Sequence, residues 1–353
     1  MKRKSYSGQK ISVLIAGIGG GSLGLEMFKS LRHVGGYRLI GTDISEKAYG
    51  FNEEGFEQTY LLRRSSPRKY ALQILEICRR HTVNAIAPGA EEVHKIISNN
   101  RDIFEKEEIL LMLNSKEVVE LCSNKSETMR FLSKQGVCIP ISRDVTTAVD
   151  VNGFDRYPCV IKPTAASGGS NLVFIAEDEQ EAKFFVEYLI RRGYKATLQE
   201  YIASNNEFTV GVLSTPTGEI LGSIALKRFL EPKLSYSLRY KDRVISSGWS
   251  QGEINDFRKV RKQAEYIAQL LNSRWALNIQ GRVDKQGVFY PFEINPRHSG
   301  TTYLRALAGF NEPDIILQYC LRGKFPQAQQ VRRGFYLRSF VETYMPLKKR
   351  ESR

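Results

Sequence analysis

The chain has 353 residues, of which 42% are hydrophobic and 25% charged, enough apolar content to bury the cores of two or three structural units. No run of 18 apolar residues occurs, which excludes a membrane-spanning helix, and the apolar stretch after MKRKSYSGQK is strand-sized, too short for a signal-peptide core. The formal net charge of +14 fits an anionic substrate or a solvated basic surface, whereas RRSSPRK (63–69), FRKVRK (257–262) and KKR (348–350) lack the interleaved aromatics of a nucleic-acid stacking platform, so no nucleic-acid partner is expected.

From residue 11 to about 115, short β-type runs alternate with amphipathic helical spacing. ISVLIAGI (11–18), YRLIGTDI (37–44), NAIAPG (84–89) and EILLMLN (108–114) read as strands. SLGLEMFKSLRHV (22–34), KYALQILEICRRH (69–81) and EEVHKIISNNRDIF (91–104) read as helices. Strands separated by helices imply right-handed crossovers and one doubly wound parallel sheet. The first turn carries Gly19, Gly21 and Gly24 as G-x-G-x-x-G, and Asp43 ends the next apolar run. That is the arrangement of a dinucleotide fingerprint, in which the acid holds a ribose hydroxyl.

Residues 115–136 have helical spacing in two pieces, with a cap expected near Ser123 and Asn124. The texture then changes. YPCVIKPTAASGGSNLVFIA reads as strand, loop, strand, and ATLQEYI as a strand. NEFTVGVLSTPTGEILGSIALKRFL is a hairpin turning at Pro-Thr-Gly. NDFRKVRKQAEYIAQLLNS (255–273) is a helix, and ALNIQGRVDKQGVFYPFEINP is a second hairpin turning at Asp-Lys-Gln-Gly. The expected fold class is therefore α/β plus α+β, with a parallel sheet followed by antiparallel ones. Five widely spaced cysteines and four scattered histidines form no metal-ligand pattern and fit free thiols in a reducing cytoplasm.

Three stretches carry candidate chemistry. In FEINPRHSGTT (292–302), Glu293, Asn295 and Arg297 share one face if the chain stays extended. Carboxylate and amide oxygens suit Mg²⁺, and a guanidinium fork suits phosphate. Antiparallel pairing across the DKQG turn brings Gln280 near Glu293. In VIKPTAASGGSN (160–171), Lys162 ends an apolar run beside a small-residue loop with Ser167, Gly168 and Gly169, which suits phosphate binding as well as it suits an ordinary β-turn. In LQEYIASNNEFTV (198–210), the extended segment offers backbone groups and Glu200 or Glu207 to a base and ribose, or is simply strand, turn and strand. Glu91, at the end of the third expected strand, Arg282, on the face of Gln280, and the basic stretch 227–243 are candidate substrate contacts; for each a surface ion pair is the plainer alternative.

Taken in order, Lys125 in SNKSETMRFLSKQG, Lys162 in VIKP, the Gly168–Gly169 loop, Glu200 in QEYI, Glu207 in NEFTV, and Glu293, Asn295 and Arg297 in FEINPR resemble the ATP-grasp superfamily. The set is most similar to the branch of the carbamoyl phosphate synthetase large chain, with a single ATP-grasp unit here. The resemblance implies a Rossmann-like pre-ATP-grasp domain at 10–115, a two-lobed ATP-grasp domain at 116–330 and a basic C-terminal segment at 331–353. It also implies that Lys125 and Lys162 contact ATP phosphates beneath a closing loop that includes Ser167, Gly168 and Gly169. Glu200, Tyr201 and Ile202 would face adenine, and Glu207 the ribose. Gln280, Glu293 and Asn295 would coordinate Mg²⁺ or Mn²⁺, as two ions, while Arg297, with Lys162 and Asn295, would serve phosphoryl transfer. Gln280 is neutral where many relatives place an acid.

The implied activity is ligation of a small carboxylate, an amino acid among the candidates, to an amine through an acyl phosphate, with release of ADP and phosphate. The implied partners are small molecules, with room for a homodimer and no membrane association, in the cytoplasm. Two alternatives follow from the same residues. One is phosphorylation of bicarbonate or carbamate. The other, from the N-terminal glycine loop, is an NAD(P)-dependent oxidoreductase. A catalytically silent module of the same fold is a third, which the retained lysines and metal-type ligands oppose.

Overall fold

A computed structural model describes residues 9–164, 172–248, 250–325 and 330–343. In the N-terminal unit β1 (Ile11–Ala16) is buried along its whole length, as a central strand covered on both faces must be. It is followed by α1 (Leu23–Val34), β2 (Tyr37–Asp43), β3 (Gln58–Leu61), α2 (Pro67–Arg80), β4 (Ala85–Pro88), α3 (Glu91–Asn99), α4 (Arg101–Glu105) and β5 (Leu110–Leu111). The strands pair in parallel in the order β3-β2-β1-β4-β5. β3 escapes the sequence pattern because QTYL is a polar, half-exposed edge strand without an apolar run. The helix expected over 91–104 is interrupted at Asn100, whose backbone leaves the helical region.

The glycine loop is as tight as its spacing implies. A Cβ on Gly24 would lie 1.9 Å from the Gly17 carbonyl oxygen, so α1 packs onto β1 only without one. Gly24→Ala is expected to destabilise the protein by about 1–3 kcal/mol, lowering its melting temperature by roughly 2–10 °C. A thermal melt with unchanged midpoint would contradict the close approach. Asp43, the fingerprint acid, accepts from Ile18 N and Ser45 N, both at 2.9 Å, one oxygen each. It ties the loop to its own strand end, which accounts for its position with no ribose.

The second part contains α5 (Lys116–Ser123), α6 (Lys125–Lys134), β6 (Ser142–Val145), β7 (Cys159–Pro163), β8 (Phe174–Ala176), α7 (Glu179–Ile190) and β9 (Ala196–Glu200). It continues through β10 (Glu207–Ser214), β11 (Ile220–Arg228), β12 (Tyr236–Tyr240), β13 (Arg243–Ser246), β14 (Gly252–Ile254), α8 (Arg258–Leu270), β15 (Trp275–Val283), β16 (Phe289–Asn295), α9 (Thr302–Leu307), α10 (Glu312–Arg322) and β17 (Gly334–Tyr336). Among the described residues the strands form a small sheet, β6-β9-β7-β8, a large sheet, β16-β15-β10-β11-β14-β17, and a two-stranded ribbon, β12-β13. All three are antiparallel, so a Rossmann-like parallel unit is followed by antiparallel lobes.

α7 lies between β8 and β9, where the sequence reading placed no helix. Its cap was visible: Asp178 Oδ1 accepts from Gln180 N and Glu181 N, both at 2.9 Å. The expected cap at Asn124 is present, with Oδ1 accepting from Glu127 N at 3.2 Å, and it makes Lys125 the first residue of α6.

The large sheet has two chemically distinct faces. Phe208, Val210, Val212, Leu277, Ile279 and Ile294 pack with Val260, Ala264 and Ile267 of α8 and with Val118 and Leu132 of α5 and α6. The alternate residues face a cavity between the sheets. The N-terminal unit is joined to the large sheet by a shared core of Met27, Leu31, Leu304, Phe310 and Ile316, and by Tyr37 donating to Asp314 (2.5 Å). The carboxyl end of β4, with Glu91, is thereby held at the rim of that cavity. Among the described residues no helix is long and apolar enough to cross a membrane.

Candidate active site

The register of the large sheet aligns its polar face. Glu207 pairs with Arg282, Thr209 with Gln280 and Gly211 with Asn278 across β10–β15; Asn278 pairs with Asn295 and Gln280 with Glu293 across β15–β16. The cross-strand pairing of Gln280 with Glu293 expected from the DKQG turn is therefore present. Of this face, Glu207, Gln280, Arg282, Glu293 and Asn295 line a cavity together with Glu91, Lys125, Lys162, Glu200, Tyr201, Ile202 and Arg297. Residues from the N-terminal unit, α6, the small sheet and the large sheet thus converge on one space. Ser167, Gly168 and Gly169 lie outside the described residues.

The cationic wall comes first. Lys162, on β7, donates to Gln199 Oε1 at 2.9 Å, and Lys125 pairs with Glu293 at 3.2 Å. Burial and the neighbouring Lys125 ammonium pull the Lys162 amine down to about 7, against partial opposition from Glu293 and Asp144. Burial pushes the Glu293 carboxyl up, but Lys125, Arg297 and Lys162 outweigh it and hold the group below its ordinary range. Arg297 follows a turn in which its N–H donates to Asn295 O at 2.8 Å, and its Nη1 donates to His298 O at 3.1 Å. Glu91 and Glu293 are the carboxylates whose charge it feels.

At the opposite end, Glu200 Oε2 accepts from Ile141 N at 3.2 Å and Tyr201 Oη accepts from Val244 N at 2.9 Å, which anchors the 200–202 segment between the small sheet and the ribbon. Arg282 does not reach toward a substrate. It donates to Glu207 (2.8 Å), Ile202 O (3.1 Å) and Val244 O (2.6 Å), and its guanidinium lies 4.5 Å from the centre of the Tyr201 ring. Three of its donors are spent on protein, and it buttresses the 200–202 wall from behind. Glu207 is almost fully buried, and its other oxygen accepts from Arg228 at 3.0 Å. Burial raises its pKa, but the two guanidinium groups overcome this and keep the carboxylate charged.

Arg228 lay within the basic stretch noted in the sequence, but its role was not foreseen. Besides Glu207, it donates to Ser246 Oγ (2.5 Å) and Gln280 Oε1 (3.0 Å). Arg305 and Glu312 were missed altogether. They form a fully buried pair at 3.3 Å, and Arg305 also donates to Asn278 Oδ1 (2.7 Å) and Thr209 Oγ1 (3.1 Å). The only sequence signal for them is Gly211, where a Cβ would come within 2.3 Å of both partners. A lone Gly in a strand marks such an approach without saying from what.

The donor set of the floor is hard oxygen. Glu293 offers a carboxylate and Asn295, two residues on, an amide on the same face, which suits Mg²⁺ completed by phosphate and water. Among the described residues no cluster of three His, Cys, Asp or Glu suited to a metal exists, so a metal here would need ligands from a bound anion.

Comparison with known proteins agrees with this geometry. A family model described as ATP-grasp in the biosynthetic pathway with Ter operon matches residues 195–342. A formate-dependent phosphoribosylglycinamide formyltransferase of Ignicoccus hospitalis is 23% identical over 80% of this chain and 69% of its own length. A D-alanine–D-alanine ligase of Thermotoga petrophila is 28% identical over 58% of this chain and 68% of its own. The crystal structure of an L-amino acid ligase from Bacillus licheniformis superposes with a TM-score of 0.64 at 16% identity, covering 91% of this chain and 75% of that one. The small and large antiparallel sheets around a cationic, oxygen-rich cavity, behind a parallel N-terminal unit, give this chain the overall fold of the L-amino acid ligase, and its residues 195–342 match an ATP-grasp family.

Proposed function

We propose that the protein is an ATP- and Mg²⁺-dependent ligase that activates a small carboxylate as an acyl phosphate and passes the acyl group to an amine. The observation that carries this is the convergence of Lys125, Lys162 and Arg297 with Glu293 and Asn295 on one cavity wall. A carboxylate resists attack by an amine because its oxygen is a poor leaving group. Transfer of the γ-phosphoryl group to that oxygen makes phosphate the leaving group, so the protein's task is to position the reactants and stabilise charge.

In this account the 200–202 segment faces adenine, with Arg282 and Glu207 supporting it from behind. Lys125 and Lys162 bind phosphate oxygens, and Arg297 stabilises the group in transfer. Glu293 and Asn295 hold Mg²⁺, which would neutralise phosphate charge. Glu91, which lines the same cavity and whose charge Arg297 feels, would receive the ammonium of an amine or amino acid substrate. The relatives act on formate, alanine and other amino acids according to their names, and a small carboxylate of that class is the proposed substrate here. The N-terminal unit and the lobes beginning near residue 116 would together enclose the reactants, in the cytoplasm.

Two results test the proposal. ADP release, screened over a matrix of carboxylates and amines with product mass spectrometry, should light up for particular pairs and require both members; release with no pair contradicts ligation. Binding of ATP should also be linked to protons. Lys162 titrates near 7 in the free protein, and a bound triphosphate returns it to the charged form. Affinity is therefore full below about pH 7 and falls by up to about tenfold per pH unit as pH rises through it. Calorimetry at pH 8 in two buffers of different ionisation enthalpy should show uptake approaching one proton, and near none at pH 6. Equal heats in both buffers at pH 8 would remove Lys162 from the phosphate wall.

A further inference from the structure

Gln280 was expected to be a third oxygen ligand of the metal, but its amide is turned the other way. Arg228 Nη2 donates to Gln280 Oε1 at 3.0 Å. A guanidinium has donors and no acceptor, so the chemistry of the pair fixes which end of the amide faces it. Arg228 itself has little freedom to withdraw. It is 5% exposed, and Glu207, Ser246 and the Ser247 carbonyl hold its Nη1. With Oε1 occupied, the free end of Gln280 is its NH₂ group, which has no protein partner among the described residues, on a side chain that lines the same cavity as Lys125, Lys162 and its strand partner Glu293. A cation adjoining the amide oxygen and two N–H donors at its other end repel a second metal ion and attract an anion.

We propose that Gln280 is a phosphate ligand, donating from Nε2 to the nucleotide's phosphate oxygens, and that Arg228 takes the place of a second divalent ion, leaving one ion held by Glu293 and Asn295. The inference rests on the proposed ATP binding and goes beyond it by assigning the metal count and reversing the role of Gln280. Arg228 supplies a permanent positive charge beneath the phosphates that needs no ion from solution, and Glu207 keeps it fixed.

The test separates the two roles without turnover. Gln280→Met keeps the side-chain volume and removes both amide functions. Nucleotide affinity measured in EDTA should fall about tenfold in this variant, because a phosphate hydrogen bond is lost whether or not metal is present. The affinity of the nucleotide complex for Mn²⁺ should stay within twofold of the parent. The opposite pattern, unchanged affinity in EDTA with weakened Mn²⁺ binding, makes Gln280 a metal ligand and overturns the proposal. Independently of any variant, the parent protein saturated with a non-hydrolysable ATP analogue should retain one Mn²⁺ per nucleotide, counted by the loss of the free-ion EPR signal. Two tightly held ions overturn this inference while leaving ATP binding intact. Failure to retain the analogue at all overturns both.

Discussion

Arg297→Ala is expected to lower kcat by about 10³-fold or more while changing ATP affinity only a few-fold. The side chain leaves the end of β16 on a short turn, and among the described residues one of its donors, Nη1, is spent on protein, toward the His298 carbonyl. Its remaining donors are left to meet the charge that spreads over the transferring phosphoryl group. Arg297→Lys restores the charge without the planar fork and should recover only part of the loss. Steady-state kinetics combined with separate nucleotide binding distinguishes the possibilities. A fall in affinity with unchanged kcat would place Arg297 in ground-state binding, and no change in either would remove it from the site. A thermal melt guards against a trivial cause, because Glu91 and Glu293 lose a compensating charge in the variant.

The second large effect is expected at Glu293. Glu293→Gln keeps the shape, removes the one carboxylate of the Glu293–Asn295 pair, and should reduce ADP formation at least about 10²-fold with a raised requirement for Mg²⁺. It also removes the partner of Lys125, 3.2 Å away, so Lys125 should hold the nucleotide more freely and metal-free affinity should not fall. Glu293→Asp retains the charge on a shorter stem, and its activity should recover partly at high Mg²⁺. Metal titrations of all three proteins check this. A variant without the carboxylate but with unaltered metal dependence would place the ion elsewhere.

The parts of the fold that were legible in sequence are those with strong periodicity. β1, α1, β2, α2 and β4 carry continuous apolar strands or wide apolar helix faces, and the two hairpins carry turn residues between alternating runs. β3 was hidden because an edge strand needs no apolar run, and β12 because it is largely exposed. α7 was hidden for a different reason: the glycine-rich loop drew the whole of 160–176 into one strand–loop–strand unit, and the helix after it was passed over despite its Asp178 cap.

The site divides the same way. Lys125, Lys162, Glu293, Asn295 and Arg297 stand in recognisable local strings, and all five meet at the cavity. Arg228, Asn278, Arg305 and Glu312 do not, because they are brought together by sheet register and by helices distant in sequence, through contacts such as Arg305 with Thr209 and Asn278. Arg282 and Gln280 were located correctly on the shared face, yet their partners could not be read from spacing. One is turned to Glu207 and the other to Arg228. Asp43 shows the converse. Its spacing matched a nucleotide fingerprint, and its carboxylate instead closes the loop that α1 needs.

The central claim is that a carboxylate oxygen attacks the γ-phosphoryl group of ATP. It is tested most directly with a productive carboxylate and amine pair in which both carboxylate oxygens are ¹⁸O. Acyl phosphate formation predicts one ¹⁸O atom in each inorganic phosphate released, observable as a mass or ³¹P shift. Unlabelled phosphate accompanying full product formation would contradict it.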